Sequence, residues 1–434
     1  MRVLLVNLHS SHNAGDHALT LEAVRQLRLY MDEPEIVLAM NDPASYEEGE
    51  ETVGSFYTWL TRPTPGGGRE WRWFAIPFLL LYAVAAGGVW RVSRRLPRMG
   101  LAPEQHRLLR AYADADVVIS CAGNFLYSSG RIGLPFFLAV FTVAYGWLLG
   151  KPIYTLPQSI GPLHRGWERA LVRWLAGRMR LVMVREPRSL ALLKELGVDS
   201  RKCRLVPDIA FAYPDADHAA AACLLSEAVG PDWEQVPLLG MTLMNWGAQN
   251  RHFQKQARYE EAICATIEAF LEQTGGQVVL FAQVWGPTGS EDDRVPARRV
   301  ASSFAQTGRV HAIDRPLSPS VLKGCYARME LLLGTRMHSN IFALSEGTPV
   351  LAIGYRTKTW GIMEMLGMER WLVDIEEASE ERLPDRLLQA WEAREATRCH
   401  VTSVLPRICE QASRAVELLR DDLQAMQGSK RGHQ

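Results

Sequence analysis

The sequence predicts an α/β protein made of two doubly wound domains that face each other across a cleft. Short apolar runs alternate with stretches of helical length in both halves of the chain, which is the pattern of consecutive β-loop-α units. The chain has 434 residues, which is too long for one hydrophobic core and suits two domains. Polar residues follow several of the predicted strands, as they do where α/β sheets bind ligands.

The composition is that of an ordinary globular protein. Lysine plus arginine equals aspartate plus glutamate at 48 each, so the overall charge gives no indication of nucleic-acid binding. The seven cysteines are odd in number and include no Cys-x-x-Cys pair, which favours reduced thiols. The N-terminal MRVLLVN is typical of a strand rather than of a signal peptide. We therefore expect a cytoplasmic protein with no nucleic-acid partner.

The first β-loop-α unit lies at the N-terminus. Residues 3–6 form an apolar run typical of a buried parallel strand, and a helix is predicted over residues 17–30. Gly15, in the loop between them, allows a ligand to approach the backbone closely. Asp16 could either cap the helix or accept a proton from an acceptor hydroxyl. The histidines of this loop have no spacing diagnostic of a metal site, so no metal is expected.

Residues 73–90 are an uncharged segment within an insertion near 70–95, and arginines flank both of its ends. Its length is at the lower limit for a membrane-spanning helix. Pro77 and the pair Gly87-Gly88 interrupt it, and the flanking arginines mark neither side as internal. Three alternatives follow: the segment lies in a membrane interface, forms a buried apolar insertion, or spans the membrane.

The rest of the first half contains further strand ends that carry polar residues. The remaining predicted strands lie at residues 36–40, 117–120, 152–156 and 181–184. Turns are predicted at Gly123 and Asn124 and again over residues 158–162. Arg185 follows a strand, where it could either hold an anionic ligand or form a salt bridge with Glu186 or Asp208.

The second half repeats the alternation of strands and helices. Predicted strands lie at 238–244, 278–284 and 310–313, and predicted helices at 259–271 and 319–329. Between them lies the acidic cluster Glu291-Asp292-Asp293. These carboxylates could either hold Mg²⁺ or lie in the first turn of a helix, where the helix dipole favours acids.

The best candidate site lies around residues 331–358. Strands predicted at 331–333 and 349–354 are each followed by a helix, so free N–H groups converge at one edge of the sheet and suit an anion. Arg336 has a donor fork that matches carboxylate or phosphate, His338 can exchange a proton, and Lys358 adds a point charge. Each residue alone could be structural. Only 7 of the 48 basic residues are lysine, so chance accounts less readily for a lysine at position 358.

Five motifs occur in an order that resembles the polysaccharide pyruvyl transferase family. They are Asn13-x-Gly15-Asp16, Gln158-Ser159-Ile160-Gly161-Pro162, Arg185-x-x-x-Ser189, Glu291-Asp292-Asp293, and Arg336-x-His338 with Tyr355-x-x-Lys358. Family members usually carry a run of glycines after the strand at 117–120, where this chain has Gly123 between Ala122 and Asn124. The resemblance implies a Rossmann-like pair of domains of the glycosyltransferase-B type.

The resemblance also implies an activity: transfer of pyruvate from phosphoenolpyruvate to a sugar of a cell-surface polysaccharide or its precursor, as a ketal. Phosphoenolpyruvate is then a co-substrate, and no cofactor is expected. His338 is the candidate acid and Asp16 the candidate base. Arg336, Arg185 and Lys358 would hold phosphoenolpyruvate. The expected acceptor-side or loop-backbone residues are Asn13, Gly15, Gly123, Asn124, Gln158 and Ser159.

The resemblance also implies which domain binds each substrate. Residues 1–210 would form the acceptor side and 215–400 the phosphoenolpyruvate side, with a C-terminal helix and tail at 401–434. The acceptor would be a saccharide, free or lipid-linked, and residues 73–90 would provide a peripheral contact with the cytoplasmic face of the membrane. Two other functions remain open: a nucleotide-sugar-dependent glycosyltransferase of the same fold, and a non-catalytic membrane-associated scaffold of a polysaccharide assembly complex.

Overall fold

The computed structural model describes residues 1–61, 71–97, 101–128, 133–214, 216–246, 255–286, 291–355 and 357–431. The chain divides into two compact units. Unit 1 comprises Met1–Ser11, Leu19–Ile209 and Ser413–Gln434, and unit 2 comprises His12–Ala18 and Ala210–Ala412. A short N-terminal loop therefore belongs to unit 2, and the C-terminal segment belongs to unit 1.

Unit 1 is built on a parallel sheet. Its described strands are β1 (Arg2–Leu8), β2 (Glu35–Met40), β3 (Glu51–Gly54), β4 (Val117–Ser120), β5 (Gly123–Leu126), β6 (Ile153–Ile160), β7 (Leu181–Val184) and β8 (Cys203–Leu205). They lie in the order β3-β2-β1-β4-β6-β7-β8, with β5 paired to β6. Chain order runs outward in both directions from β1 and β4, so the topological switch point lies between these two strands.

Unit 2 has a second parallel sheet of the same kind. Its described strands are β9 (Leu238–Thr242), β10 (Gln277–Phe281), β11 (Val310–Ala312), β12 (Leu331–Gly334), β13 (Val350–Gly354) and β14 (Leu372–Asp374). The order is β11-β10-β9-β12-β13-β14, which places the switch point between β9 and β12. Strands β9, β12 and β13 are buried along their whole length, as expected for a parallel sheet with both faces covered.

Helices follow the strands in both units. Those of unit 1 are α1 (Ala14–Tyr30), whose first turn lies in unit 2, α2 (Thr58–Thr61), α3 (Trp71–Ser93), α4 (Pro103–Asp114), α5 (Leu134–Leu148), α6 (Gly166–Arg178) and α7 (Pro187–Glu195). Those of unit 2 are α8 (His218–Val229), α9 (Gln256–Gln273), α10 (Arg294–Ser303), α11 (Pro319–Tyr326), α12 (Met337–Ser345), α13 (Thr357–Met365), α14 (Arg382–Glu392) and α15 (Arg394–Ser413). The last helix, α16 (Ala415–Arg431), returns to unit 1.

Two segments predicted as turns are strands. Gly123 and Asn124 begin β5, and residues 158–160 are the end of β6. The two strands pair in parallel, with Gly123 opposite Gln158 and Leu126 opposite Ile160 across a register irregularity. Each strand provides hydrogen-bond partners for backbone groups of the other. The polar side chains of these segments gave no indication of this pairing.

The insertion is helical. Helix α3 runs through Pro77 and the glycine pair without ending, so the predicted interruption is wrong. None of the helices in the described residues combines the length and apolar character that a membrane crossing needs. The segment predicted as a C-terminal helix and tail is helical as far as Arg431, and its last three residues lie outside the described part.

Candidate functional site

Side-chain hydroxyls form hydrogen bonds across the switch point of the unit 2 sheet, between β9 and β12. The backbone N–H of Thr335, just after β12, donates to the carbonyl and the Oγ1 of Thr242 at the end of β9, at 3.3 and 3.2 Å. Ser339 Oγ lies 2.8 Å from Thr242 Oγ1. These bonds fix the turn from β12 into α12, and that turn carries Arg336 and His338.

Arg336 forms a buried bidentate ion pair. Its Nε and Nη2 donate to the two carboxylate oxygens of Asp293 at 2.9 and 2.6 Å. Asp293 is fully buried and also accepts from the backbone N–H groups of Val284 and Asn245. Burial lowers the pKa of Arg336, but the charge and hydrogen bonds of Asp293 outweigh it and the net shift is upward. Asp293, rather than a ligand, therefore holds this edge of the guanidinium.

His338 lies against the N-terminal loop. A Cβ atom added to Gly15 would lie 2.0 Å from the Nδ1 of His338, which is far inside van der Waals contact. Only glycine fits between the start of α1 and this imidazole. His338 is 8% exposed, so a small part of its surface is accessible. The glycine of the first motif and the histidine of the last motif thus touch within unit 2.

The N-terminal loop is held by its own asparagine. Asn13 Oδ1 accepts from the Gly15 N–H at 3.1 Å, and Asn13 Nδ2 donates to Asp16 Oδ2 at 2.8 Å. Asn13 is therefore the residue that caps α1, and Asp16 orients that cap from the first turn. This arrangement leaves Asp16 partly exposed beside the glycine.

The same loop is attached to the segment that follows β10. The Ala14 N–H donates to the Gln283 carbonyl, and the Trp285 N–H donates to the His12 carbonyl, both at 3.1 Å. The rings of His12 and Trp285 are in contact, with centroids 4.1 Å apart. These bonds explain why residues 12–18 belong to unit 2.

Lys358 lies at the end of the neighbouring strand. It is in the first turn of α13, directly after β13, and is partly exposed. Tyr355, between the strand and the helix, packs edge-on against Trp246 with ring centroids 4.8 Å apart. The prediction that two strand ends and two helix starts lie side by side is confirmed, because β12 and β13 are neighbouring parallel strands and α12 and α13 follow them.

Arg185 lies in unit 1 and is 1% exposed. Its Nε donates to Ser159 Oγ at 2.8 Å, and its Nη1 pairs with Asp208. Ser159 Oγ in turn donates to Glu186 at 2.9 Å. Burial raises the pKa of Glu186, although the charge of Arg185 opposes the shift. The structure thus shows the salt bridge that was one alternative for Arg185, and its role as an anion ligand stays a prediction.

The other predicted acceptor-side residues lie on β5 and β6. Gln158 is 1% exposed, and neither atom of its side-chain amide has a hydrogen-bond partner among the described residues. Gly123 has a φ of 152° and faces the ring of Phe125, which a Cβ atom would approach to 2.5 Å. Asn124 is partly exposed. None of them lies in the part of the chain that carries His338.

The acidic cluster does not have the predicted arrangement. Helix α10 begins at Arg294, so the carboxylates precede the helix instead of lying in its first turn. Asp292 pairs with Arg294 at 2.7 Å and Asp293 pairs with Arg336. Within the described ranges, no group of three histidine, cysteine or carboxylate side chains is arranged to hold a metal ion.

Two residues of this site were missed by sequence reasoning. The sequence predicts only a helix-dipole or Mg²⁺-binding role for Asp293, because its partner Arg336 lies 43 residues away. Asn340 is 1% exposed, and both atoms of its amide lack a partner among the residues that the structure describes. Its Oδ1 occupies the space beside Gly334, where a Cβ atom would lie 1.7 Å away. The available signal was its position one helical turn after Arg336 and directly before the apolar run at residues 341–344.

Comparison with known proteins shows which family the chain belongs to. The sequence model of the family described as polysaccharide pyruvyl transferase matches residues 13–357. The chain belongs to the polysaccharide pyruvyl transferase family. The chain is also similar to the amylovoran biosynthesis protein AmsJ of Erwinia amylovora, with 23% identity over 389 residues that cover 87% of this chain and 88% of AmsJ.

Solved structures show the same fold at low sequence identity. The UDP-GlcNAc 2-epimerase of Neisseria meningitidis matches 96% of this chain and 99% of its own, with a TM-score of 0.58 and 11% identity. The sucrose-phosphate synthase of Thermosynechococcus elongatus matches 98% and 100%, with a TM-score of 0.57 and 14% identity. The predicted pair of Rossmann-like domains of the glycosyltransferase-B type is therefore confirmed, and the likeness concerns the fold alone.

Proposed function

We propose that this pyruvyl transferase family member transfers pyruvate from phosphoenolpyruvate to two hydroxyls of one saccharide, forming a ketal. The observation that carries the proposal is the packing of His338 against Gly15. It brings the first and last family motifs together at the carboxyl edge of the unit 2 sheet. A proton donor, a fixed guanidinium and a lysine at two adjacent strand ends suit a small, multiply charged anion that must be protonated.

The chemistry requires an acid and anion stabilisation. A proton adds to C3 of the enolpyruvyl group, C2 becomes cation-like, and one acceptor hydroxyl forms a bond to C2. The C2–O bond to phosphate then breaks, and a second hydroxyl forms the other ketal bond. Two hydroxyl protons are released and C3 takes up one, so the other leaves with phosphate as HPO₄²⁻. The step balances without an oxidant or a further cofactor.

The described residues divide this work by charge and position. His338 supplies the proton to C3. Arg336, whose positive charge is maintained by Asp293, stabilises the donor carboxylate, and Lys358 stabilises phosphate as it leaves. Asp16, held beside Gly15 by Asn13, is the base for an acceptor hydroxyl. The assignments of Arg185, Gly123, Asn124, Gln158 and Ser159 to ligand binding remain predictions.

The acceptor class is supported by the relatives. AmsJ is named as an amylovoran biosynthesis protein, and the family name refers to polysaccharides. We therefore propose that the acceptor is a sugar of an extracellular polysaccharide or of its precursor, free or lipid-linked.

A thermal-shift titration with phosphoenolpyruvate, with UDP and GDP as controls, tests the donor. A ligand at one hundred times its dissociation constant adds about 2.7 kcal/mol to the free energy of unfolding. Lys358→Ala is expected to weaken the shift, whereas Lys194→Ala, at an exposed position in unit 1, is not. Arg336→Ala is unsuitable for this purpose because it would leave Asp293 buried without its partner.

Each outcome separates the proposed activity from its alternatives. Stabilisation by phosphoenolpyruvate that depends on Lys358 supports pyruvyl transfer. Stabilisation by a nucleoside diphosphate that phosphoenolpyruvate does not displace would favour a nucleotide-sugar glycosyltransferase instead. A protein that binds neither ligand class and releases no phosphate from phosphoenolpyruvate would be a scaffold, and the proposal would fail.

A further inference from the structure

Helix α3 exposes an apolar surface on its outer side. Ala83, Ala86 and Trp90 are buried against unit 1. Gly87 packs on α5, since a Cβ atom there would lie 3.2–3.3 Å from the side chains of Tyr145, Leu148 and Leu149. We call the exposed large hydrophobic side chains of α3 its outer face. They are Phe78, Leu81, Val84, Val89 and Val92, with exposed fractions of 40–89%.

Apolar exposure continues on α5, which packs on α3, and on α6, which packs on α5. Helix α5 carries Phe137 and Trp147, 41% and 37% exposed, and helix α6 carries Trp167, 44% exposed. The large hydrophobic side chains exposed in the described residues are therefore concentrated on three neighbouring helices of unit 1. A soluble monomer rarely exposes apolar side chains in one continuous region without a binding partner.

Basic groups border this surface at the C-terminal ends of α3 and α5. The guanidinium of Arg94 and the ammonium of Lys151 both lie over the ring of Trp90, at 4.6 and 4.7 Å from its centroid. Arg91 donates to the Leu148 carbonyl, which ties the two helices together. No aspartate or glutamate occurs between residues 71 and 103.

A second basic and aromatic group lies between α5 and α6. The guanidinium of Arg178 lies over the rings of both Trp147 and Trp174, at 4.8 and 4.2 Å from the ring centroids. Tryptophans that are apolar on one side and paired with cations on the other are suited to the boundary between lipid headgroups and acyl chains.

We propose that the outer face of α3, with the exposed aromatic residues of α5 and α6, docks unit 1 on an anionic membrane surface. The apolar side chains enter the boundary of the acyl chains, and the arginines and lysine bind lipid phosphates. This inference is independent of the proposed reaction. It selects the membrane-interface alternative for residues 73–90 and adds two further helices to the contact.

The charge pattern favours a membrane over a second copy of the chain. In a symmetric dimer each surface patch meets the same patch on its partner. A contact through the outer face of α3 would then bring arginine-bearing ends together, because Arg72 precedes the face and Arg91, Arg94 and Arg95 follow it. The helix offers no carboxylate to pair with them, whereas an anionic lipid surface does.

Co-sedimentation of the full-length chain with vesicles tests the proposal. The vesicles are phosphatidylcholine alone and phosphatidylcholine mixed with anionic phosphatidylglycerol. We expect binding to the anionic vesicles that weakens as salt is raised. Leu81→Glu should reduce the partition coefficient about tenfold or more, because an apolar anchor is replaced by a charge. Arg95→Gln should reduce it about fivefold.

Matched variants separate the surface from general effects of charge and hydrophobicity. Leu29, on α1, is 60% exposed where Leu81 is 65% exposed, so Leu29→Glu is the control for Leu81→Glu. Arg407 is exposed like Arg95, so Arg407→Gln is the control for Arg95→Gln. Neither control should change the partition coefficient.

Three results would overturn the proposal. The first is absence of binding to both kinds of vesicle, and the second is equal binding by wild type and Leu81→Glu. The third is a dimer in light scattering that Leu81→Glu dissociates, since the outer face would then be an interface between copies of the chain. Phosphoenolpyruvate binding, measured in the same preparations, is expected to be unchanged by Leu81→Glu, so failure of this inference and failure of the proposed reaction are distinguishable.

Discussion

At the scale of single residues, the site depends on side chains that are almost completely buried. Asp293 and Arg336 neutralise each other in the interior of unit 2, and their geometry is bidentate. Breaking such a pair is costly because the remaining charge has no solvent to stabilise it. The imidazole of His338, two residues further on, is thereby held on a rigid turn. The ion pair therefore also positions the candidate acid.

His338→Ala is expected to abolish turnover while phosphoenolpyruvate binding is retained. Loss of a positioned acid costs about 10²–10⁴ in rate, whereas the proposed binding groups are the cationic side chains, which this substitution leaves in place. Phosphate release and a thermal-shift titration measure the two quantities. His164→Ala, at an exposed position in unit 1, is the control. If the turnover rate of His338→Ala stays within about tenfold of wild type, a difference of about 1.4 kcal/mol in the barrier, His338 is not the acid.

Asp293→Asn should destabilise the protein by about 3 kcal/mol or more, because it leaves the Arg336 charge buried without a carboxylate. Urea unfolding measures this change. Asp314→Asn is the control, since it removes a bidentate pair with Arg298 that is about half exposed and contributes at most about 1 kcal/mol. Equal effects of the two substitutions would mean that Arg336 does not depend on Asp293.

At the scale of structural elements, the close approach of α1 and α12 decides where the first motif lies. The start of α1 packs on the imidazole in the first turn of α12, and its loop pairs with the segment after β10. Asn13, Gly15 and Asp16 therefore act within unit 2, although the body of α1 belongs to unit 1. The fold positions a conventional helix cap beside a candidate proton donor.

Gly15→Ala should lower the turnover rate, since the added methyl group must displace His338. Overpacking of this kind costs about 1–3 kcal/mol, which exceeds the gain in helix propensity of up to about 1 kcal/mol. Steady-state kinetics and urea unfolding measure the two effects. In Gly166→Ala, in the first turn of α6, the new methyl group meets no atom within 4 Å, and activity should be unchanged. A fully active Gly15→Ala protein would contradict the packing of His338 on this loop.

At the scale of the whole molecule, distant parts of the chain complete each unit. Helix α16 contributes Asp422 to unit 1, where its carboxylate accepts hydrogen bonds from Tyr154 at 2.6 Å and from Arg180 at 3.0 Å. The buried group of Arg185, Glu186, Asp208 and Ser159 similarly joins the ends of β6 and β7 to the segment after β8. These polar contacts make the stability of unit 1 dependent on pH.

Glu186→Gln is expected to reduce this pH dependence. Burial raises the pKa of Glu186 above its ordinary value of 4.5, although Arg185 opposes the shift, so the folded protein binds this proton more tightly than the unfolded chain. The stabilising contribution is complete below pH 4.5 and is lost as pH rises through the raised pKa, by about 1.4 kcal/mol for each unit of pKa shift. Wild type should therefore lose stability relative to Glu186→Gln over this range.

Unfolding by urea at several pH values measures the difference between the two proteins. Glu195→Gln is the control, because its carboxylate pairs with Arg169 on the surface, where the side chains are 67% and 38% exposed. A difference between wild type and Glu186→Gln that is constant with pH, or that grows in favour of wild type as pH rises, would show that Glu186 is already ionised in the folded protein.

The sequence by itself determined the class of fold, the alternation of strands and helices, and the placement of Arg336, His338 and Lys358 after adjacent strands. These features follow from hydrophobic periodicity and from residues close together in the chain, which are local properties. Only the tertiary structure decided that Gly15 packs on His338, that Asp293 pairs with Arg336, and that Arg185 is enclosed by its own ion pairs. In each case a buried charge or a close contact selects a partner by distance in space, and periodicity carries no information about partners that are remote in sequence.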